Sequence, residues 1–130
     1  FTLESGRSTL FDAIFVPDGD ETFVKELSTG RALHWIRESF AHFKTIAAVG
    51  NSVSVLAHKA LPGSTDYKAD LSEAYTSKNG VVLAQNLAND EASLWGKLTG
   101  AADMTGFGKA FVDACSMHRH WDRNTEGVAF

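Results

Sequence analysis

The stretch Thr45 to Leu61, TIAAVGNSVSVLAHKAL, limits the fold more than any other part of the chain. Ile46, Ala47, Ala48 and Val49 make an unbroken apolar run, which suits a strand covered on both faces. Gly50 follows, where the backbone must turn sharply or pass close to a neighbour. Asn51 and Ser52 can start a helix, since their side-chain oxygens can accept the free amides of a first turn. Val53, Leu56, Ala57 and Ala60 then recur at helical spacing, and Pro62-Gly63 stops the pattern. A strand, a tight turn and a helix in this order carry the nucleophile in several α/β enzyme families. Here the turn residue is glycine, which has no side chain to react.

The rest of the chain alternates between strand and helix patterns. Leu10–Val16 reads as a strand ended by Pro17, Asp18 and Gly19, and Glu21–Leu27 as a short helix. Arg31–Phe43 reads as a longer helix with Leu33, Ile36, Phe40 and Phe43 on one face and Arg37, Glu38 and Lys44 off it. Pro62–Lys78 is polar and reads as an exposed connection, Asn79-Gly80 as a turn and Val81–Gln85 as a strand. Asp90–Leu98 reads as a helix with Leu94, Trp95 and Leu98 inward. The last helix starts near Thr105 or Gly106, with Phe107, Ala110, Phe111, Ala114, Met117 and Trp121 as one apolar stripe, and Asp122–Phe130 is a loose tail. Three strands among helices predict an α/β sandwich with a mainly parallel sheet. One domain is expected from 130 residues, and a real core from a hydrophobic fraction of 44% with nine Phe. A net charge of −4 argues against a nucleic-acid partner, and no apolar stretch is long enough to span a membrane. Cys115 is the single cysteine, so no internal disulfide forms and the compartment, cytoplasmic or secreted, stays open. No Cys/His cluster has zinc spacing, and no metal site is expected.

Asp12, Pro17 to Gly19, Ile46 to Val49 and Leu56-Ala57-His58 follow the order of a D-x-x-x-x-P-G-G motif, an IAAIC-like strand and its helix. In this the chain resembles the class I glutamine amidotransferase-like superfamily, which includes PfpI-type proteases, deglycase-like proteins and glyoxalase chaperones. Asp18 replaces the first motif glycine, and Gly50 stands where those proteins carry a nucleophilic cysteine. A second set runs from residue 8 to 61: Leu10-Phe11-Asp12-Ala13, Val16-Pro17, Gly19, Ala32-Leu33-His34, Glu38, His42, Lys44, Ile46-Ala47-Ala48 and Gly50. In order and spacing it is similar to the C-terminal domain of large-subunit haem catalases of fungi and bacteria. That resemblance implies a flavodoxin-like three-layer sandwich, truncated at its N-terminus, because the family domain opens with a strand and a helix before the region present here. It implies haem in a preceding β-barrel domain and no cofactor in this chain. Its partners would be the rest of the catalase subunit and tetramer, as a homo-oligomer. The start at Phe1-Thr2, without Met, reads as a piece cut from a longer polypeptide. If an interior strand is absent, two neighbouring strands have unpaired edges, and a partner, a swapped dimer or a rearranged sheet is expected.

Gly50, Asn51 and Ser52 are therefore read as a vestigial elbow with no catalytic residue. Asp18, Gly19, Gly50 and Asn51 are read as a vestigial ligand pocket, since ligands of open α/β sheets bind outside the carboxyl ends of strands. Asp18, Asp20 and Glu21 could hold a cation or simply favour the positive end of a helix. Gly50-x-Ser52 shares the start of G-x-S-x-G, but Ser54 replaces its last glycine and His58 falls on another helix face. Cys115 is either a reactive thiol or a buried small hydrophobe. His118 and His120, near Arg119 and Arg123, make an ion site or a solvated helix end. His34 and His42 read as surface or interface residues, and Trp35, Trp95 and Trp121 as core or subunit contacts. Two functions stay open. One is a non-catalytic accessory domain that stabilises and assembles a peroxide-decomposing catalase, with holdase activity towards unfolded client proteins. The other is a small hydrolase, glyoxalase or deglycase, which needs at the turn a thiolate that Gly50 cannot supply.

Overall fold

The chain is described from a computed structural model, which covers residues 2–61, 67, 73–86 and 106–127. The expected helix at Asp90–Leu98, with Leu94, Trp95 and Leu98, and the Pro62-Gly63 stop lie outside these residues. Four strands form one sheet: β1 (Ala13–Val16), β2 (Thr45–Val49), β3 (Thr76–Lys78) and β4 (Val81–Ala84), in the order β1-β2-β4-β3. β1, β2 and β4 run parallel, and β3 returns antiparallel to β4. The helices are α1 (Glu21–Leu27), α2 (Gly30–Ala41), α3 (Ser52–Val55, running into a wide π turn at Leu56–Ala60) and α4 (Gly106–Ser116).

Every residue of β2 and β4 is buried, because helices cover both faces of the sheet. The two-residue alternation of a strand divides the core. Ile14, Val16, Ile46, Ala48, Val81 and Leu83 face α1, α2 and α3, where Ile36, Phe40, Val53 and Leu56 meet them. Ala47, Val49, Val82 and Ala84 face the other way, against Phe107, Ala110, Phe111 and Ala114 of α4. Phe15 joins them, with its ring 6.4 Å from that of Phe107 and 6.3 Å from that of Phe111. This is a three-layer α/β sandwich with a mainly parallel sheet, as the alternating pattern predicts.

Several local expectations are corrected. The first strand begins at Ala13, because Ser8–Leu10 forms a 3-10 turn that leaves Leu10 exposed. α2 ends at Ala41; Phe43 adopts a φ of +60° and turns its ring onto Trp121, 5.0 Å away, instead of into the helix core. Asn51 and Ser52 do not cap α3 with their side chains. The connection before Asn79 contains β3, held by register with β4, and Tyr67 within it is buried. The hairpin turn does fall at Asn79-Gly80, with both φ angles positive (+49° and +77°) as a tight two-residue turn requires. α4 stops at Ser116, since His118 takes a φ of +63° and reverses the chain. Met117 and Trp121 are consequently 67% and 72% exposed, outside the apolar stripe. Of the expected alternatives, a partner, a swapped dimer or a rearranged sheet, the pairing matches the last: β1 lies directly against β2, from Ala13 beside Thr45 to Val16 beside Ala48. Among the described residues no strand pairs with the outer side of β1.

Two cations expected in solvent are buried. Lys44 sends its ammonium under the N-terminal segment, donating to the carbonyls of Thr9 (2.6 Å), Phe11 and Ser8 (3.5 Å). Arg123, in the expected loose tail, donates to the Asn79 carbonyl from Nε (3.0 Å) and Nη2 (2.7 Å) and to the Phe40 carbonyl from Nη1 (3.0 Å). Its guanidinium also lies 4.5 Å above the Phe40 ring. Burial lowers its pKa to about 10, which still leaves it a cation at neutral pH.

Candidate functional site

The bend between β2 and α3 is where the strand–turn–helix pattern directs attention. Gly50 has a φ of +62°, which a side chain rarely tolerates. Its amide donates to the Ala84 carbonyl (2.9 Å), which fixes the bend to the end of β4. The β1–α1 loop folds over it. Asp18 Oδ1 accepts the Asn51 amide (2.8 Å) and the Gly19 amide (2.8 Å). Asn51 Nδ2 donates back to the Gly19 carbonyl (3.1 Å), and the Ser52 hydroxyl donates to the Pro17 carbonyl (2.6 Å). The side chains expected to accept amides of α3 thus donate across to the neighbouring loop. The structure brings Asp18, Gly19, Gly50, Asn51 and Ser52 together at the carboxyl ends of β1 and β2, as the motif order predicts.

The chemistry of this cluster is limited by its donors. Ser52 is fully buried with its proton committed to Pro17, and His58 is exposed on the far turn. Asp20 caps α1 by accepting the Phe23 amide (2.9 Å), with Glu21 in the first turn. Asp20 and Glu21 therefore serve a helix start, while Asp18 serves the bend. Among the described residues no group of three or more His, Cys, Asp or Glu could hold a metal ion.

The remaining candidates lie at the opposite end of the sheet or on its flanks. His118 is exposed, but His120 is buried, with Nε2 2.9 Å from the Thr45 hydroxyl. A solvated helix end is thus corrected for His120. It packs so closely on the hairpin that a Cβ on Gly80 would lie 2.0 Å from its ring. Burial first, then Arg123, lowers its pKa, while the Ala114 carbonyl and Asp122 oppose the shift. The fold therefore resists protonation that the unfolded chain accepts at its ordinary 6.5. Stability from this group is complete above that value and falls as pH drops towards the lower folded value. In urea titrations, His120→Gln should flatten the loss that sets in as pH falls below the ordinary histidine value of 6.5. The loss from Glu38, whose carboxyl is lowered from 4.5 chiefly by the Ser8 hydroxyl, sets in lower. Cys115 is half-buried on α4; burial pushes its thiol up, against a hydrogen bond from Thr45. That is the environment of an inert thiol. His34 lies 4.0 Å from Glu38, and His42 is exposed. Trp35 donates to the Leu3 carbonyl (3.1 Å) and packs on Phe11, 5.6 Å between rings.

A second surface was legible only as an open strand edge. Beside β1 runs an apolar groove of about 310 Å³, lined by Phe11, Ile14, Val16, Phe23, Leu27 and Trp35 among others. Phe15, on the other face of the same strand, is 49% exposed.

Comparison with known proteins agrees with this geometry. A family model of the C-terminal domain found in long catalases matches residues 1–125. Catalase-1 of Neurospora crassa is 39% identical over 128 residues, covering 97% of this chain and 17% of that protein. Catalase-2 of Bacillus subtilis is 32% identical over 116 residues, covering 89% of this chain and 12% of its own length. The chain thus spans less than a fifth of either relative. Among solved structures, an Anabaena variabilis two-domain protein with DJ-1/ThiJ/PfpI-like and ferritin-like domains matches with a TM-score of 0.56 at 17% identity. That match covers 87% of this chain and 39% of the other and supports the fold alone. With a family match over nearly its whole length and fungal relatives at this identity, the chain belongs to the C-terminal domains found in long catalases.

Proposed function

We propose that this chain is a single accessory domain of a large haem catalase and performs no chemistry of its own. The observation that supports this most is the β2–α3 bend, where position 50 offers only backbone and the nearby Ser52 hydroxyl is buried and donating. A thiolate or an activated hydroxyl is what the enzymatic members of such a fold require. The parent subunit decomposes hydrogen peroxide with haem held elsewhere. Of the buried candidate ligands, Tyr67 packs edge-on against Phe40, 5.7 Å between rings, and His120 is engaged with Thr45.

The domain's roles are then stability and assembly of the subunit and its oligomer, through contacts rather than catalysis. Removing residues 1–125 from the full catalase should leave peroxide decomposition per haem within about twofold, while its half-life near the unfolding temperature shortens severalfold. Measured rates per haem that collapse on removal would overturn the reading. So would consumption of methylglyoxal by the domain at an enzymatic rate that Ser52→Ala abolishes.

The apolar groove beside β1 supports a holdase role as well, since an open strand edge and exposed apolar side chains capture extended segments. A heat-labile client should stay in solution with the domain present and scatter less light than the client alone. Phe15→Lys should weaken this protection. Absence of protection at stoichiometric excess would remove the role.

A further inference from the structure

The β2–α3 bend carries one contact that an inactive turn does not need. A Cβ built on Gly50 would lie 2.1 Å from Asp18 Cγ and 2.3 Å from its Oδ1. The same Oδ1 accepts two backbone amides from two different segments, Gly19 in the β1–α1 loop and Asn51 after the bend. An amide following the bend residue and an amide from a neighbouring loop are the pair that steadies developing negative charge in nucleophile-elbow enzymes. Here that pair is filled by the chain's own carboxylate. The loop holding it is fastened by Asn51 Nδ2 on the Gly19 carbonyl (3.1 Å) and by the Ser52 hydroxyl on the Pro17 carbonyl (2.6 Å).

We propose that Asp18 is a built-in lock on the bend. Its carboxylate occupies the volume that any side chain at position 50 needs, and it saturates the two amides that would otherwise stabilise charge there. A side chain at 50 can therefore enter only if the exposed Asp18 carboxylate swings away and gives up those two amides. The absence of chemistry at this turn is fixed by two residues rather than one. This inference rests on the accessory reading and specifies how the bend is kept inert.

Gly50→Ala, Asp18→Gly and the pair, made in the full-length polypeptide, test it. Amide exchange over residues 45–61 is the local readout. The strain of a side chain at a φ of +62° is common to both backgrounds and cancels in the cycle. Gly50→Ala should accelerate exchange strongly in the natural background and markedly less beside Asp18→Gly. A second arm uses a thiol. Iodoacetamide should alkylate Gly50→Cys at least about tenfold more slowly than the pair Asp18→Gly with Gly50→Cys, read by peptide mass spectrometry that separates the new thiol from Cys115. Additive effects on exchange, or equal alkylation rates, would overturn the lock. Neither result touches the accessory reading, which is judged by domain removal and methylglyoxal turnover.

Discussion

Arg123→Met is expected to destabilise the domain by about 4 kcal/mol, the largest single-residue effect in the chain. The guanidinium holds two separate parts of the fold at once, the hairpin and α2. It takes the Asn79 carbonyl at the hairpin tip with two nitrogens, the Phe40 carbonyl at the end of α2 with a third, and the Phe40 ring with its face. Methionine fills part of the volume but donates nothing, so the half-buried Asn79 carbonyl is left without either of these bonds. The Phe40 carbonyl suffers less, because the Phe43 amide also reaches it at 3.0 Å. Amide exchange in β4 should quicken roughly a thousandfold, within the limit set by global unfolding. Arg123→Lys should recover less than half of the loss, because one ammonium cannot reproduce a planar fork reaching two carbonyls. Full recovery with lysine would mean that charge, not geometry, is what matters at this position.

Lys44→Met should cost about 3 kcal/mol, concentrated in the first dozen residues. The ammonium is the central tie of that segment, reaching the carbonyls of Ser8, Thr9 and Phe11. The other ties are lighter. Ser8 gives its hydroxyl (2.5 Å) and amide (3.2 Å) to Glu38, and the exposed Arg31–Glu4 pair, 3.2 Å apart, adds little. Methionine keeps the apolar stem and removes the head, so the Thr9 and Phe11 carbonyls lose this donor, while the Ser8 carbonyl still accepts the Phe11 amide (3.1 Å) and packing is largely retained. Limited proteolysis should cut between residues 2 and 12 well before β2 or β4 exchanges its amides. A variant in which both regions open together would show that Lys44 supports the whole sheet.

What the sequence makes legible is whatever depends on side-chain pattern. Ile46 to Val49 had to be a doubly covered strand because no polar residue interrupts them, and Gly50 had to be a bend because a helix pattern restarts directly after it. The Asn79-Gly80 turn was legible for the same local reason. β3 was not, because Thr76, Ser77 and Lys78 are three polar residues held by backbone bonds to β4, with no apolar period to betray a strand. Met117 and Trp121 continue the spacing of α4, yet the backbone reverses at His118, an angle that spacing does not encode. Lys44 and Arg123 were missed because their partners are carbonyl oxygens, and every residue carries one of those. The bend itself was readable at Gly50. The carboxylate filling it comes from Asp18, 32 residues away; the clue was the joint exchange of a motif glycine for an acid and of a motif cysteine for glycine.

The two rims of the sheet differ in character, and this sets how copies of the domain could meet. The β3 rim is short and carries Lys78 beside a tight turn, a poor template for another strand. The β1 rim is apolar, and among the described residues no strand pairs with its outer side. Among the described residues, then, one rim favours strand addition and the other does not. Two molecules joined rim to rim about a twofold axis would each use up their adhesive side, leaving two charged ends facing water. Such a pairing would terminate itself at two copies rather than lengthen into a fibre.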